Sequence, residues 1–157
     1  MRTLHTDEII KNVKEMCIEA NLQLSADMQE AIQSAKNSET GTLGKQILGQ
    51  LCENMEIAAN EQIPICQDTG MAVFFVKVGQ DLHIEGQNLT EAINEGVRQG
   101  YQEGYLRKSV VGDPLLRENT KDNTPAIIHY DLVDGEQLEI LIAPKGFGSE
   151  NMSRVFM

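Results

Sequence analysis

The chain has 157 residues, 41% of them apolar and 24% charged, with few aromatic side chains and no tryptophan. Its 13 Lys and Arg stand against 24 Asp and Glu, a net charge of −11, which argues against a nucleic-acid partner, since that affinity rests on neutralising phosphates. A small anion is still compatible, provided that positive charge and backbone N–H groups are concentrated at one place.

That length suits a single domain over residues 1–157, burying roughly two-thirds of the surface its unfolded chain exposes, with an aliphatic core. No apolar run approaches the ~18 residues of a membrane span. The opening stretch, with early acids and no apolar segment, does not make a secretory signal. Cys17, Cys52 and Cys66 are odd in number and do not suggest a disulfide framework, so a reducing cytoplasm is the expected home.

The first sixty residues read as helices. Ile9, Ile10, Val13, Met16, Cys17, Ala20 and Leu24 recur at three- and four-residue steps. Ser25 is placed to cap a second helix, with Asp27 in its first turn and Met28, Ala31, Ile32 and Ala35 as its stripe. A third helix over about Thr42 to Asn60 aligns Leu43, Ile47, Leu51, Met55 and Ala58. Cys17 falls on the first stripe and Cys52 beside the third, where both read as packed thiols.

Beyond residue 70 the pattern changes. Met71 to Val78 is a continuous apolar run, predicted as a strand buried on both faces. Asn88 opens a helix to about Tyr105, with Glu91 three residues on as in a capping box. Gly112 to Asn123 is polar and turn-rich. Ala126–Val133 and Gln137–Ala143 flank Asp134-Gly135, which predicts a β-hairpin. The expected class is α+β, a helical N-terminal part packed on a mixed or antiparallel sheet. Val155, Phe156 and Met157 stop at what reads as the first turn of a new helix, so a fragment of a longer chain is expected.

Three stretches carry chemistry. In Cys66-Gln67-Asp68-Thr69-Gly70, the plain reading is a packed thiol before a turn in which Gly70 takes positive φ. The alternative is a thiolate ligand with a carboxylate two residues away for proton transfer. Asp68-Thr69-Gly70 also spells the aspartic-protease tripeptide, but three helices ahead of it do not suit a small all-β dimer. In "APKGFGSEN", Gly146 and Gly148 allow backbone N–H groups to converge on an anion beside Lys145, and Ser149 is placed to cap a helix. In "YLRKSVVGDP", Arg107 and Lys108 read either as a solvated helix end or as a grip on a carboxylate. His5, His83 and His129 show no ligand spacing.

Taken in order, P-x-C-Q-D-T-G, "YLRKSVVGDPLLRENTKDNTPA" and K-G-x-G-S-x-N resemble the α-subunit, or N-terminal catalytic half, of the iron–sulfur class I fumarases and the related L-tartrate dehydratases. The resemblance covers nearly the whole chain. It implies a hydro-lyase that dehydrates malate to fumarate with a [4Fe–4S] cluster held by three cysteines, its fourth iron open to substrate. Position by position, it implies Cys66 as a cluster ligand, Gln67 and Asp68 facing a small dicarboxylate substrate, and Asp68 in proton transfer. Arg107 would grip a substrate carboxylate, which the Gly148 N–H approaches. Phe147 departs from the triple glycine of many members. The other two cluster cysteines are expected beyond residue 157, so the chain by itself is expected to be inactive. A β-subunit or C-terminal half would complete the site, in a homo-oligomer or an α/β hetero-oligomer. The alternatives are a tartrate dehydratase α-subunit and a non-catalytic module that keeps the fold.

Overall fold

A computed structural model describes residues 2–148 and 153–156. In chain order its elements are β1 (Arg2–His5), α1 (Thr6–Leu22), α2 (Ala26–Ser38), α3 (Thr42–Glu61), β2 (Met71–Gly79), β3 (Leu82–Glu85), α4 (Leu89–Glu103), β4 (Ile127–Val133) and β5 (Leu138–Lys145). The class is α+β, as the sequence predicts. The chain divides into two compact units, Met1–Ile18 with Asp68–Met157, and Glu19–Gln67.

The larger unit has a mixed sheet in the order β4-β2-β5. β2 runs parallel to β4, pairing Phe75 with His129, and antiparallel to β5, pairing Phe75 with Leu141. The expected hairpin is therefore not formed. β4 and β5 lie on opposite sides of β2, and the Asp134–Gln137 turn crosses the end of that strand. There the Gly79 N–H donates to Gln137 O and the Asp81 N–H to Gly135 O, each at 2.8 Å. A Cβ on Gly79 would lie 2.4 Å from Gly135 O, so only glycine lets the turn pass. The short connection signals adjacency; the strongly apolar β2 takes the central place instead.

β2 is also buried on one face rather than two. Ala72, Phe74 and Val76 are buried while Phe75 and Lys77 are exposed, so the strand alternates as a half-covered sheet requires. The buried face packs with Ile9, Val13 and Cys17 of α1 and with Ala92, Ile93, Val97 and Tyr101 of α4. The two helices approach closely: a Cβ on Gly96 would lie 2.7 Å from Val13 Cβ, and one on Gly100 2.8 Å from Cys17 Cβ. Asn88 caps α4 as expected, its side chain accepting from the Thr90 N–H at 2.9 Å. β1 and β3, which the sequence reading did not separate from their surroundings, form a parallel pair of their own.

In the smaller unit α2 and α3 pack on one another, with Cys52 and Ala58 buried on α3 and no residue of α2 fully buried. Of the apolar positions read as the α3 stripe, Ala58 is buried and Met55 half-buried, while Leu43, Ile47 and Leu51 are exposed. Ser25 does occupy the N-cap of α2, without a side-chain bond to the helix backbone. The helix start assigned to Ser149 lies outside the described residues.

Candidate functional site

Cys66 is presented by a short segment of the smaller unit. Gln62 ends α3 in the left-handed conformation, φ 55°, and turns the chain. Ile65, just ahead of the cysteine, is tied at both peptide groups. Its N–H donates to Asn21 O at 2.9 Å, and its carbonyl accepts from Asn54 Nδ2 at 2.9 Å. Cys66 and Gln67 are exposed. Cys17 and Cys52 are buried, as read from the sequence, and burial pushes the Cys17 thiol up to about 12.

Asp68 opens the second segment of the larger unit. Its Oδ1 accepts from the Gly70 N–H at 3.2 Å, closing a turn in which Gly70 has φ 60°. Its Oδ2 accepts from the Gly148 N–H at 2.9 Å. The glycine-rich loop after β5 thus does gather backbone donors on an anion, and that anion is the chain's own carboxylate. The Gly148 N–H is the largest influence holding Asp68 below the usual aspartate range. Partial burial opposes it, and the N–H groups of Phe147 and Gly70 and the charge of Arg107 add to it. The turn also lies against the loop backbone, since a Cβ on Gly70 would fall 1.9 Å from Lys145 O. The Lys145 ammonium donates to Gly146 O at 2.6 Å.

Arg107 reaches the same place from a segment without regular structure. Thr69, buried, donates its hydroxyl to Arg107 O at 3.0 Å, and Tyr101 of α4 donates its hydroxyl to Thr69 O at 3.1 Å. Arg107 itself is exposed. Asp68, Arg107 and Gly148 are therefore brought together in one unit, while Cys66 and Gln67, the two residues preceding Asp68, belong to the other.

This arrangement can hold a negatively charged group against a guanidinium and a backbone donor, beside a carboxylate that is ionised at neutral pH. The donor set fits one thiolate ligand and no more. Among the described residues no three His, Cys, Asp or Glu side chains stand together as a metal site, and two of the three thiols are buried. A cluster held by three cysteines would need two donors from outside these residues.

The profile of the family described as Fumarate hydratase (Fumerase) matches residues 10–157. The chain belongs to the fumarate hydratase family. It is 39% identical, over 92% of its length and 53% of the relative's, to a Methanocaldococcus jannaschii protein named "Putative L(+)-tartrate dehydratase subunit alpha". It is 37% identical to the anaerobic class I fumarate hydratase of Escherichia coli over 71% of this chain and 21% of that protein. With the aerobic class I fumarate hydratase of Salmonella typhimurium it shares 32% identity over 98% of this chain and 26% of that protein. The chain thus spans about half the length of the first of these relatives and about a quarter or less of the fumarate hydratases. Fumarase-family membership and the α+β fold leave the aspartic-protease reading of Asp68-Thr69-Gly70 without support. Among the described residues no helix is long and apolar enough to cross a membrane.

Sequence reasoning missed Asn123, Thr69 and Tyr101, which hold the loops of this site together. Asn123 lies in a run of turn-forming residues, and no spacing distinguishes it from its neighbours.

Proposed function

We propose that the chain is part of an iron–sulfur hydro-lyase that dehydrates malate to fumarate reversibly. The observation that carries this reading is the meeting of the Asp68 carboxylate with the Gly148 N–H, near the Arg107 charge, two residues after an exposed cysteine.

In this proposal Arg107 grips one carboxylate of a dicarboxylate substrate, and the Gly148 N–H donates to it. Gln67 faces the substrate from the residue before Asp68. Cys66 is a ligand of a [4Fe–4S] cluster, which when bound supplies a Lewis acid for the departing hydroxyl. Asp68 is ionised, so in the dehydration direction it takes a proton from carbon rather than giving one. A low pKa makes a weak base. A substrate carboxylate that draws the Gly148 N–H to itself removes the largest influence keeping that pKa low, and Asp68 becomes more basic on binding. The C–H proton passes to the carboxylate, hydroxide leaves, and a double bond forms between the two carbons.

In this reading the complete α-subunit supplies the two remaining cluster cysteines, a β-subunit or C-terminal half completes the site, and the reduced thiols suit the cytoplasm. L(+)-Tartrate is the second substrate to test, because the 39% identical relative carries that name. The test is anaerobic iron–sulfur reconstitution of the complete enzyme, wild type beside Cys66→Ala, read by visible absorption and by dehydration of malate and of tartrate. Loss of absorption and turnover in the variant supports the reading. A Cys66→Ala enzyme that keeps both overturns it.

A further inference from the structure

The segment from Arg107 to Val110 belongs to no helix and is held residue by residue from outside. Thr69 Oγ1 donates to Arg107 O, and Asn119 Nδ2 donates to Lys108 O at 2.9 Å. Asn123 Oδ1 accepts from the Ser109 N–H at 2.7 Å and from the Val110 N–H at 3.1 Å. The same amide reaches the other side of the site, where its Nδ2 donates to Gly70 O at 3.0 Å. Asn123 is fully buried. One side chain thus ties the turn that carries Asp68 to the segment that carries Arg107.

An amide alone suits this place. Its oxygen accepts two bonds while its nitrogen donates the third; a carboxylate would present a second acceptor to the Gly70 carbonyl, and an alcohol is too short to span both loops. The residue also has φ 63°, a left-handed conformation that asparagine tolerates better than other side chains except glycine. Burial makes the three bonds costly to leave unmade. Val110 O also accepts from the Thr120 N–H at 3.0 Å, but that bond does not reach the turn that carries Asp68.

We propose that Asn123 is a positioning residue of the site, setting the distance between the Arg107 guanidinium and the Asp68 carboxylate without touching substrate. This rests on the reading of Arg107 as the cation that grips a substrate carboxylate. Loss of the tie lets the guanidinium drift, which weakens a grip present in both ground and transition states. The KM for malate then rises more than kcat falls.

The decisive variant is Asn123→Gly, because glycine keeps the left-handed backbone without strain and removes only the amide. In the complete reconstituted enzyme we expect KM for malate to rise by about tenfold or more with kcat within about threefold of wild type. Arg107→Ala raises KM further, and adding Asn123→Gly to it changes KM no more, because both act through one group. A purely structural role would lower the melting temperature and the yield of active enzyme while leaving KM unmoved, and that result overturns the proposal. So does a full additional KM increase in the double variant. Should Arg107→Ala alone leave KM unchanged, the reading of Arg107 fails first and the proposal falls with it. If Asn123→Gly does not fold, Thr69→Val removes the neighbouring tie to Arg107 O and must show the same KM rise. An unchanged KM there also overturns the proposal.

Discussion

The Gly148 N–H donates to the Asp68 Oδ2 at 2.9 Å, so the glycine-rich loop and the Asp-Thr-Gly turn, eighty residues apart, are joined by one bond to an ionised carboxylate. Replacing Asp68 by Asn keeps the shape and removes the charge. In the complete enzyme the Asp68→Asn variant is expected to lose ~10²–10⁴-fold in kcat, the usual worth of a positioned proton-transfer group. Malate dehydration measured with cluster content matched to wild type checks this.

The same carboxylate makes a pH prediction for stability. Its folded pKa lies below the unfolded value of about 3.9, so its contribution is present above that pH and is lost as pH falls through the folded value. Asp68→Asn has no such group to protonate. Urea midpoints of wild type and variant are expected to draw together as the pH falls below about 3.9. Curves that stay parallel would show that the Gly148 bond carries no pH-dependent stability.

Gly70 tests how tightly the turn is held against the loop. At φ 60° an alanine is strained by roughly 1 kcal/mol wherever it stands, and here its Cβ would also fall 1.9 Å from Lys145 O. Gly135, at φ 93° in the turn that crosses β2, has no heavy atom within 4 Å of the Cβ position. Gly70→Ala is therefore expected to lower the urea midpoint well beyond Gly135→Ala. Equal losses would mean that the Lys145 backbone yields to the new Cβ and that only the strain of positive φ is felt at either turn.

The candidate residues could be picked out of the sequence because they announce themselves by type. Cys66, Asp68, Arg107 and Gly148 stand in short polar or glycine-rich stretches between apolar elements, and the structure gathers the last three. What holds them was not legible. Asn123 and Thr69 act through bonds to residues 53 and 38 positions away, and such pairings leave no local period. The sheet order escaped for a related reason: Asp134-Gly135 is a hairpin signal by every local rule, yet β2 lies between the two strands it connects. Helix stripes were read well where a core receives them, as in α1, and only in part in α3, where Ala58 is buried as read while Leu43, Ile47 and Leu51 are exposed.

Two helical glycines show what packing adds to propensity. Glycine within a helix costs up to about 1 kcal/mol relative to alanine, so substitution stabilises where space allows. At Gly49 of α3 the nearest atom to a new Cβ is the flexible Lys36 Cε at 3.9 Å, and Gly49→Ala is expected to raise stability by about 0.5–1 kcal/mol. At Gly96 of α4 the same Cβ meets Val13 at 2.7 Å and the Ile10 carbonyl at 2.9 Å. There overpacking of about 1–3 kcal/mol exceeds the propensity gain, and Gly96→Ala is expected to destabilise. Opposite signs in denaturant midpoint at constant m-value check the pair.

The three cysteines separate by accessibility. Burial pushes the Cys17 thiol up to about 12, so it stays protonated at pH 8, and the residue is wholly buried besides. Cys52 is buried and donates its thiol to Gln33 Oε1 at 3.6 Å. Cys66 is exposed on a segment pinned at Ile65. Iodoacetamide at pH 8 under reducing, metal-free conditions is expected to alkylate Cys66 first, with Cys17 and Cys52 modified only after unfolding in urea. Peptide mass spectrometry reads the order. Prompt labelling of Cys17 would mean that the contact between α1 and α4 opens in the native state, and protection of Cys66 would mean that its segment is covered and not offered to a metal. The order also bears on cofactor binding. One accessible thiol cannot hold a three-cysteine cluster, so the 157-residue chain alone is expected to gain no cluster absorption on reconstitution, whatever the state of its two buried thiols.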